Sequence, residues 1–62
     1  MPVIQIDTGI LTREKKAELI KKLTEAASST LNIPPQAFTV IIRENSLDNV
    51  GNGGKPLSEI IK

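Results

Sequence analysis

The sequence predicts a small α/β (α+β) domain, a single β-α-β unit followed by a C-terminal β-hairpin. Two short segments rich in β-branched residues, 3–8 and 38–44, flank one amphipathic segment, 13–31, and a glycine-rich segment, 51–54, follows them. Two strands joined through a long helix are most simply parallel, with a right-handed crossover. We therefore expect the chain, residues 1–62, to form one domain.

The first predicted strand, residues 3–8, is rich in β-branched side chains and ends at Gly9. Alternation along a strand places Ile4 and Ile6 on one face and Val3 on the other. Because apolar side chains fall on both faces, we expect both faces to be covered.

The predicted helix spans residues 13–31, with Thr12 as its N-cap. Asn32 is suited to the left-handed conformation that ends a helix, and Pro34 and Pro35 prevent its continuation. Apolar residues recur at helical spacing and form one stripe: Ala17, Leu19, Ile20, Leu23, Ala26, Ala27 and Leu31.

The second predicted strand, residues 38–44, also carries apolar side chains on both faces, with Val40 and Ile42 on one and Ile41 on the other. One helix can cover only one face of a two-stranded sheet. The other face needs a partner surface, which predicts self-association.

The C-terminal part begins with a polar turn, residues 45–49, followed by a tight reversal in residues 50–54. There the Asn-Gly and Gly-Gly pairs supply positive φ angles. The last segment, residues 57–62, reads as a short tail in which Ile60 and Ile61 reach a neighbouring subunit or fray.

Length and composition also predict self-association. A chain of 62 residues has a marginal core, and it contains neither Cys nor His, so disulfides and the commonest metal ligands are not available to strengthen it. Oligomerisation is the remaining means, and we expect no metal site.

Other classes of function are disfavoured by charge and hydropathy. The net charge is +1 and Phe38 is the single aromatic residue, which argues against nucleic-acid binding. No apolar run is long enough to span a membrane, and the first residues lack the pattern of a signal peptide. A cytoplasmic location, without membrane contact, is the default expectation.

Pro2 is the candidate catalytic residue. If Met1 is removed, the nitrogen of Pro2 becomes a secondary amine at the start of a strand. A free α-amino group has a pKa of about 7.7 to 8.0, and an apolar site lowers it further. Such an amine can act as a general base or as a nucleophile near neutral pH.

Four features together resemble the 4-oxalocrotonate tautomerase family of the tautomerase superfamily: Pro at position 2, a length of 62 residues, a single β-α-β unit and a Gly-x-Gly-Gly hairpin. The resemblance covers nearly the whole chain. Its residues are Pro2-Val3-Ile4-Gln5-Ile6, Leu19-Ile20, Glu25-Ala26, Val40-Ile41-Ile42 with Glu44, and Gly51-Asn52-Gly53-Gly54.

The resemblance implies a subunit that pairs into a four-stranded sheet in a dimer, and three such dimers in a homohexamer. It also implies a cofactor-free isomerase that moves a proton between carbon and oxygen in small enol acids or unsaturated keto acids. In that reaction Pro2 is the general base and acid, and an uncleaved Met1 turns its nitrogen into a non-basic amide.

This sequence departs from the family's pattern at three substrate-handling positions. The family carries one arginine after the first strand, where Leu11 is nearest, and another early in the second strand, where Thr39 stands. Val50 stands at the place of an aromatic residue before the hairpin. These losses favour a smaller or more apolar substrate, such as a monocarboxylate arylenolpyruvate.

Three cations are candidates to replace the lost arginines as carboxylate anchors, in the order Arg43, Arg13 and Lys55. Each also fits a surface charge or an ion pair between subunits. Arg43 shares a strand face with Thr39 but lies about 13 Å farther along the strand.

Two alternatives stay open. The chain fits a non-catalytic structural subunit of the same fold, which assembles with a related chain that carries the arginines. It also fits another proline-dependent reaction, such as hydration, dehalogenation or decarboxylation of an unsaturated acid, with Glu44 or Asp7 activating water.

Overall fold

The computed structural model describes residues 1–61. Its strands and helices, in chain order, are β1 (Val3–Thr8), α1 (Arg13–Leu31), β2 (Thr39–Glu44), β3 (Gly51–Asn52), β4 (Lys55–Pro56) and α2 (Leu57–Ile60). Two short 3-10 turns, Pro35–Ala37 and Leu47–Asn49, precede β2 and β3.

Strands β1 and β2 pair in parallel, with Val3 opposite Thr39 at one end and Asp7 opposite Arg43 near the other. Helix α1 connects them, so the predicted β-α-β unit is confirmed. Because the strands are parallel, both start at the same edge of the sheet and both end at the opposite edge.

Both ends of α1 are closed as predicted. The hydroxyl of Thr12 accepts a 3.1 Å hydrogen bond from the backbone amide of Lys15, which satisfies one of the free amides of the first turn. Asn32 has φ 57° and ψ 41°, the left-handed conformation expected at the helix end. On the surface, Glu18 and Lys22 pair at 2.7 Å, one turn apart.

Strand β2 begins one residue later than predicted. The backbone amide of Phe38 donates a 3.1 Å hydrogen bond to the carbonyl of Pro35 and so closes the preceding turn instead of entering the strand. Proline at the first position of that turn supplies the φ angle that a helical turn needs.

The hairpin after β2 pairs β3 with β4 antiparallel, which confirms the predicted reversal. The positive φ angles fall on Gly53 (62°) and Gly54 (84°), whereas Asn52, expected to share them, does not have one. The segment predicted to be a tail forms α2, because Ile61 donates its backbone amide to the carbonyl of Leu57 at 2.8 Å. Lys62 lies outside the described residues.

No residue among 1–61 is fully buried in the single chain. Helix α1 lies over one face of the sheet, where Ile4, Ile6, Val40 and Ile42 are half-buried. The opposite face is open, with Val3 47% exposed. A molecule with extents of 42 × 24 × 14 Å is only two layers thick and has no interior of its own.

None of the helices formed by residues 1–61 has the length and apolar character needed to cross a membrane.

Candidate active site at the start of the first strand

Pro2 lies directly before β1, at the edge where both parallel strands begin. Its carbonyl accepts a 3.1 Å hydrogen bond from the backbone amide of Thr39, the first residue of β2. Pro2 is half-buried, whereas the side chain of Met1 is 94% exposed. The prolyl nitrogen therefore has a defined place in the fold, and the peptide bond before it is accessible from solvent.

Thr39 is the predicted substrate-binding residue that the fold brings next to Pro2. It pairs with Val3 in the strand register, and its side chain is exposed on the face of the sheet opposite α1. Whether Thr39 contacts a substrate stays a prediction, but its location agrees with such a role.

Arg43, the first-ranked anchor, lies near the far end of β2 and is already paired. Its Nε donates to Oδ1 of Asp7 at 2.9 Å, and its Nη2 donates to Oδ2 at 3.3 Å. Hydrogen bonding to Arg43 lowers the pKa of the Asp7 carboxyl, and the same pair raises the pKa of Arg43. Both groups are therefore held in their charged forms.

Glu44 connects the end of β2 to the start of α1. One carboxylate oxygen accepts a 2.8 Å hydrogen bond from the backbone amide of Leu11, and the other accepts a 2.8 Å hydrogen bond from the ammonium group of Lys16. These hydrogen bonds, first that of Lys16 and then that of Leu11, lower the pKa of Glu44. Leu11 is thus fixed at the end of the sheet opposite Pro2.

The other two candidate cations belong to the same far end. Arg13 is the first residue of α1, which begins just after β1 ends. Lys55 lies in β4, in a hairpin whose base is at this end of the sheet. Val50 and Leu57, joined there by a 2.7 Å backbone hydrogen bond, line the same pocket as Asp7. Within one chain, none of the three candidate anchors shares the Pro2 edge.

A pocket of about 220 Å³ opens at this far end. It includes Val50, the residue predicted to shape the substrate site, and Leu57, which the sequence did not single out. The sequence signal that could have identified Leu57 is its position, since it and Val50 are apolar residues on either side of the glycine hairpin. The lining is Asp7, Thr8, Gly9, Asn45, Leu47, Val50 and Leu57.

Asp7 and Glu44, the candidate water-activating carboxylates, are engaged with Arg43 and Lys16, respectively. Within residues 1–61, no three acidic side chains lie close enough together to hold a metal ion.

The chain is similar in sequence to known tautomerases. The family model described as "Tautomerase enzyme" matches residues 2–60. The "Probable tautomerase RSp0893" of Ralstonia nicotianae (strain ATCC BAA-1114 / GMI1000) is 45% identical over 60 residues, 94% of this chain and 84% of that protein. The "2-hydroxymuconate tautomerase" of Pseudomonas sp. (strain CF600) is 35% identical over 49 residues, 79% of this chain and 78% of that protein.

The fold is also similar to that of a solved tautomerase structure. The fold matches a chain of the heterohexamer 4-oxalocrotonate tautomerase from Chloroflexus aurantiacus J-10-fl with a TM-score of 0.88 and 28% identity, covering 97% of this chain and 98% of that chain. The fold, the order of its elements and the near-complete match of the family model lead to one conclusion: the chain belongs to the tautomerase family.

Proposed function

We propose that this chain is a cofactor-independent tautomerase in which Pro2, freed by removal of Met1, is the general base and acid. The observation that carries the proposal is the position of Pro2, tied by its carbonyl to Thr39 at the edge where both strands begin. Membership of the tautomerase family supports the class of reaction.

The proposed reaction is a proton transfer in two steps. The neutral secondary amine of Pro2 takes the hydroxyl proton of an enol acid or an allylic proton of an unsaturated keto acid. The resulting pyrrolidinium then returns a proton to a carbon of the same intermediate. Both protonation states must be accessible near neutral pH, which an α-amino group in an apolar site provides.

We propose that the active form is a homohexamer of three dimers, located in the cytoplasm as the sequence led us to expect. The open face of the sheet and the lack of any buried residue among 1–61 support assembly. Assembly also supplies what one chain lacks, because the candidate anchors lie at the edge remote from Pro2 and reach such a site only from a neighbouring subunit.

The substrate class follows from the residues that replace the family's arginines. Thr39 and Leu11 are neutral, and Arg43 is already neutralised by Asp7. Few cations remain for a dicarboxylate such as the 2-hydroxymuconate named for a relative. We therefore favour a monocarboxylate enol, with phenylenolpyruvate as its test compound.

The test is conversion of enol to keto acid, followed by ultraviolet absorbance, on protein whose mass confirms loss of Met1. Phenylenolpyruvate and 2-hydroxymuconate are offered in parallel. Pro2→Ala is the test variant, and Pro34→Ala, which changes an exposed proline outside the site, is the matched control. We expect turnover to collapse in Pro2→Ala and to persist in Pro34→Ala.

Turnover that survives in Pro2→Ala contradicts the role of Pro2. No turnover of either compound by the Met1-free protein contradicts the proposed substrate class and favours the non-catalytic alternative.

A further inference from the structure

Among residues 1–61, the face of the sheet opposite α1, called here the open face, carries only two charged side chains. They are Asp7 of β1 and Arg43 of β2, which lie directly opposite each other in the strand register. The open face consists of Val3, Gln5, Asp7, Thr39, Ile41 and Arg43, all exposed in the single chain.

The Asp7–Arg43 pair cancels the charge of this face. Two hydrogen bonds, at 2.9 and 3.3 Å, join the two carboxylate oxygens to two nitrogens of the guanidinium, a bidentate pair. In the single chain Arg43 is 54% and Asp7 60% exposed, and a pair so exposed contributes little to stability. Its consequence for the fold alone is therefore small.

The pair matters more if the open face is covered. Two charges that are removed from water remain tolerable only while they stay paired, and loss of either partner leaves a buried, uncompensated charge. A paired polar group within an apolar contact surface can then set the register and the choice of partner.

A second copy of this chain is the occupant that the open face fits. Val3 and Ile41, 47% and 39% exposed, leave apolar surface uncovered on a chain with no buried residue among 1–61. An interface related by a two-fold axis must be self-complementary. One acidic and one basic residue side by side are compatible with that condition, because rotation about an axis close to the pair turns Asp7 of one copy towards Arg43 of the other.

Given the self-association proposed above, we propose that the Asp7–Arg43 pair lies in the interface between copies of this chain and selects a second copy as partner. A chain that carries two like charges at these positions repels its own copies and accepts a chain with the opposite pair. Repulsion between like charges across an interface weakens association, so that more protein is needed for assembly.

The experiment uses two single variants, Asp7→Arg and Arg43→Asp, and the double exchange Asp7→Arg/Arg43→Asp. Sedimentation velocity across the micromolar range gives the concentration at which each assembles. We expect each single variant to need at least about tenfold more protein than the unaltered chain. We expect an equal mixture of the two single variants, and also the double exchange, to assemble at a protein concentration within about threefold of that of the unaltered chain.

The matched control exchanges an ion pair outside the open face. Glu18→Lys and Lys22→Glu alter a pair of 2.7 Å on the surface of α1 and make the same kinds of charge change. We expect both variants to assemble like the unaltered chain. Circular dichroism of every variant identifies any that fail to fold, and recovery in the mixture shows that the single variants keep a competent fold.

The outcomes are distinguishable. If the unaltered chain remains a monomer, self-association and this inference both fall, whatever the result for Pro2. If the unaltered chain assembles and the single variants assemble equally well, or if mixing the folded single variants restores nothing, only the inference is overturned. Turnover with Pro2→Ala tests the chemistry separately.

Discussion

The backbone amide of Thr39 donates a 3.1 Å hydrogen bond to the carbonyl of Pro2, which joins the first residue of β2 to the residue before β1. This contact places the prolyl nitrogen at a fixed edge of the sheet and makes Thr39 its neighbour. The ion pairs of Arg43 and Glu44 lie toward the opposite edge. One chain thus separates the proposed base from the cations that were expected to serve it.

Retention of Met1 is expected to abolish activity, because acylation turns the prolyl nitrogen into an amide that is not basic. The side chain of Met1 is 94% exposed, so an aminopeptidase has access to it. Mass spectrometry separates the two forms, and absorbance assays compare them. Equal turnover by the Met1-retaining form contradicts a role for the prolyl amine.

Thr39→Arg is expected to favour dicarboxylates. An arginine beside Pro2 donates charge-assisted hydrogen bonds to a second carboxylate, each worth about 1.5–3 kcal/mol, so KM for 2-hydroxymuconate falls about tenfold or more. KM for phenylenolpyruvate changes less. Steady-state kinetics measure both, and Thr30→Arg, at an exposed position of α1, is the control. An equal change for the two substrates argues against specific recognition by residue 39.

Glu44→Ala is expected to loosen the segment between β1 and α1. The substitution removes the acceptor of the Leu11 amide and the partner of Lys16, each held at 2.8 Å. We expect Tm to fall by a few degrees and the Leu11 amide to exchange faster with deuterium.

Two further variants are controls for the faster exchange of the Leu11 amide. Glu44→Gln keeps an acceptor for the Leu11 amide, so this amide is expected to exchange more slowly than in Glu44→Ala. Glu25→Ala, on the exposed surface of α1, is expected to leave the exchange of the Leu11 amide as it is in the unaltered chain. Leu11 exchange that is identical in Glu44→Ala and the unaltered chain shows that the hydrogen bond does not hold the segment.

Acid is expected to weaken the fold through Asp7 and Glu44. Both carboxyls have a lowered pKa in the folded chain, against about 3.9 and 4.3 when unfolded. Below those unfolded values the unfolded state binds more protons than the folded state. The free energy of unfolding therefore decreases as the pH is lowered through that window. Their stabilisation is complete above the unfolded pKa values and is lost as pH falls through the folded ones.

Denaturant titrations between about pH 2 and 6 span that window. Asp7→Asn/Glu44→Gln is expected to have a flatter dependence on pH. A slope equal to that of the unaltered chain shows that other groups control the acid transition.

Much of the fold could be predicted because its signals are local. β-branched alternation identified β1, and Thr12 and Asn32 marked both ends of α1. Phe38 was assigned to β2 because its apolar side chain continues the alternation, but the turn that begins at Pro35 uses its backbone amide first. Helix α2 is too short to show a periodic pattern, so it was read as a tail.

The candidate site could be predicted only in part. Pro2 stands out because the chain has no His and no Cys to compete with it. The pairing of Arg43 with Asp7 depends on the parallel register, which no local pattern determines. The surroundings of Pro2 in an assembly depend on surfaces from other copies, which spacing along one chain does not reveal.

The most direct test of the central claim compares two titrations of the Met1-free protein. One follows the nitrogen of Pro2, labelled with nitrogen-15, by NMR, and the other follows kcat/KM for the preferred enol acid against pH. If Pro2 is the base, the ascending limb of the rate profile has the same pKa as the prolyl nitrogen. A rate profile governed by a clearly different pKa, with the prolyl nitrogen titrating elsewhere, contradicts it.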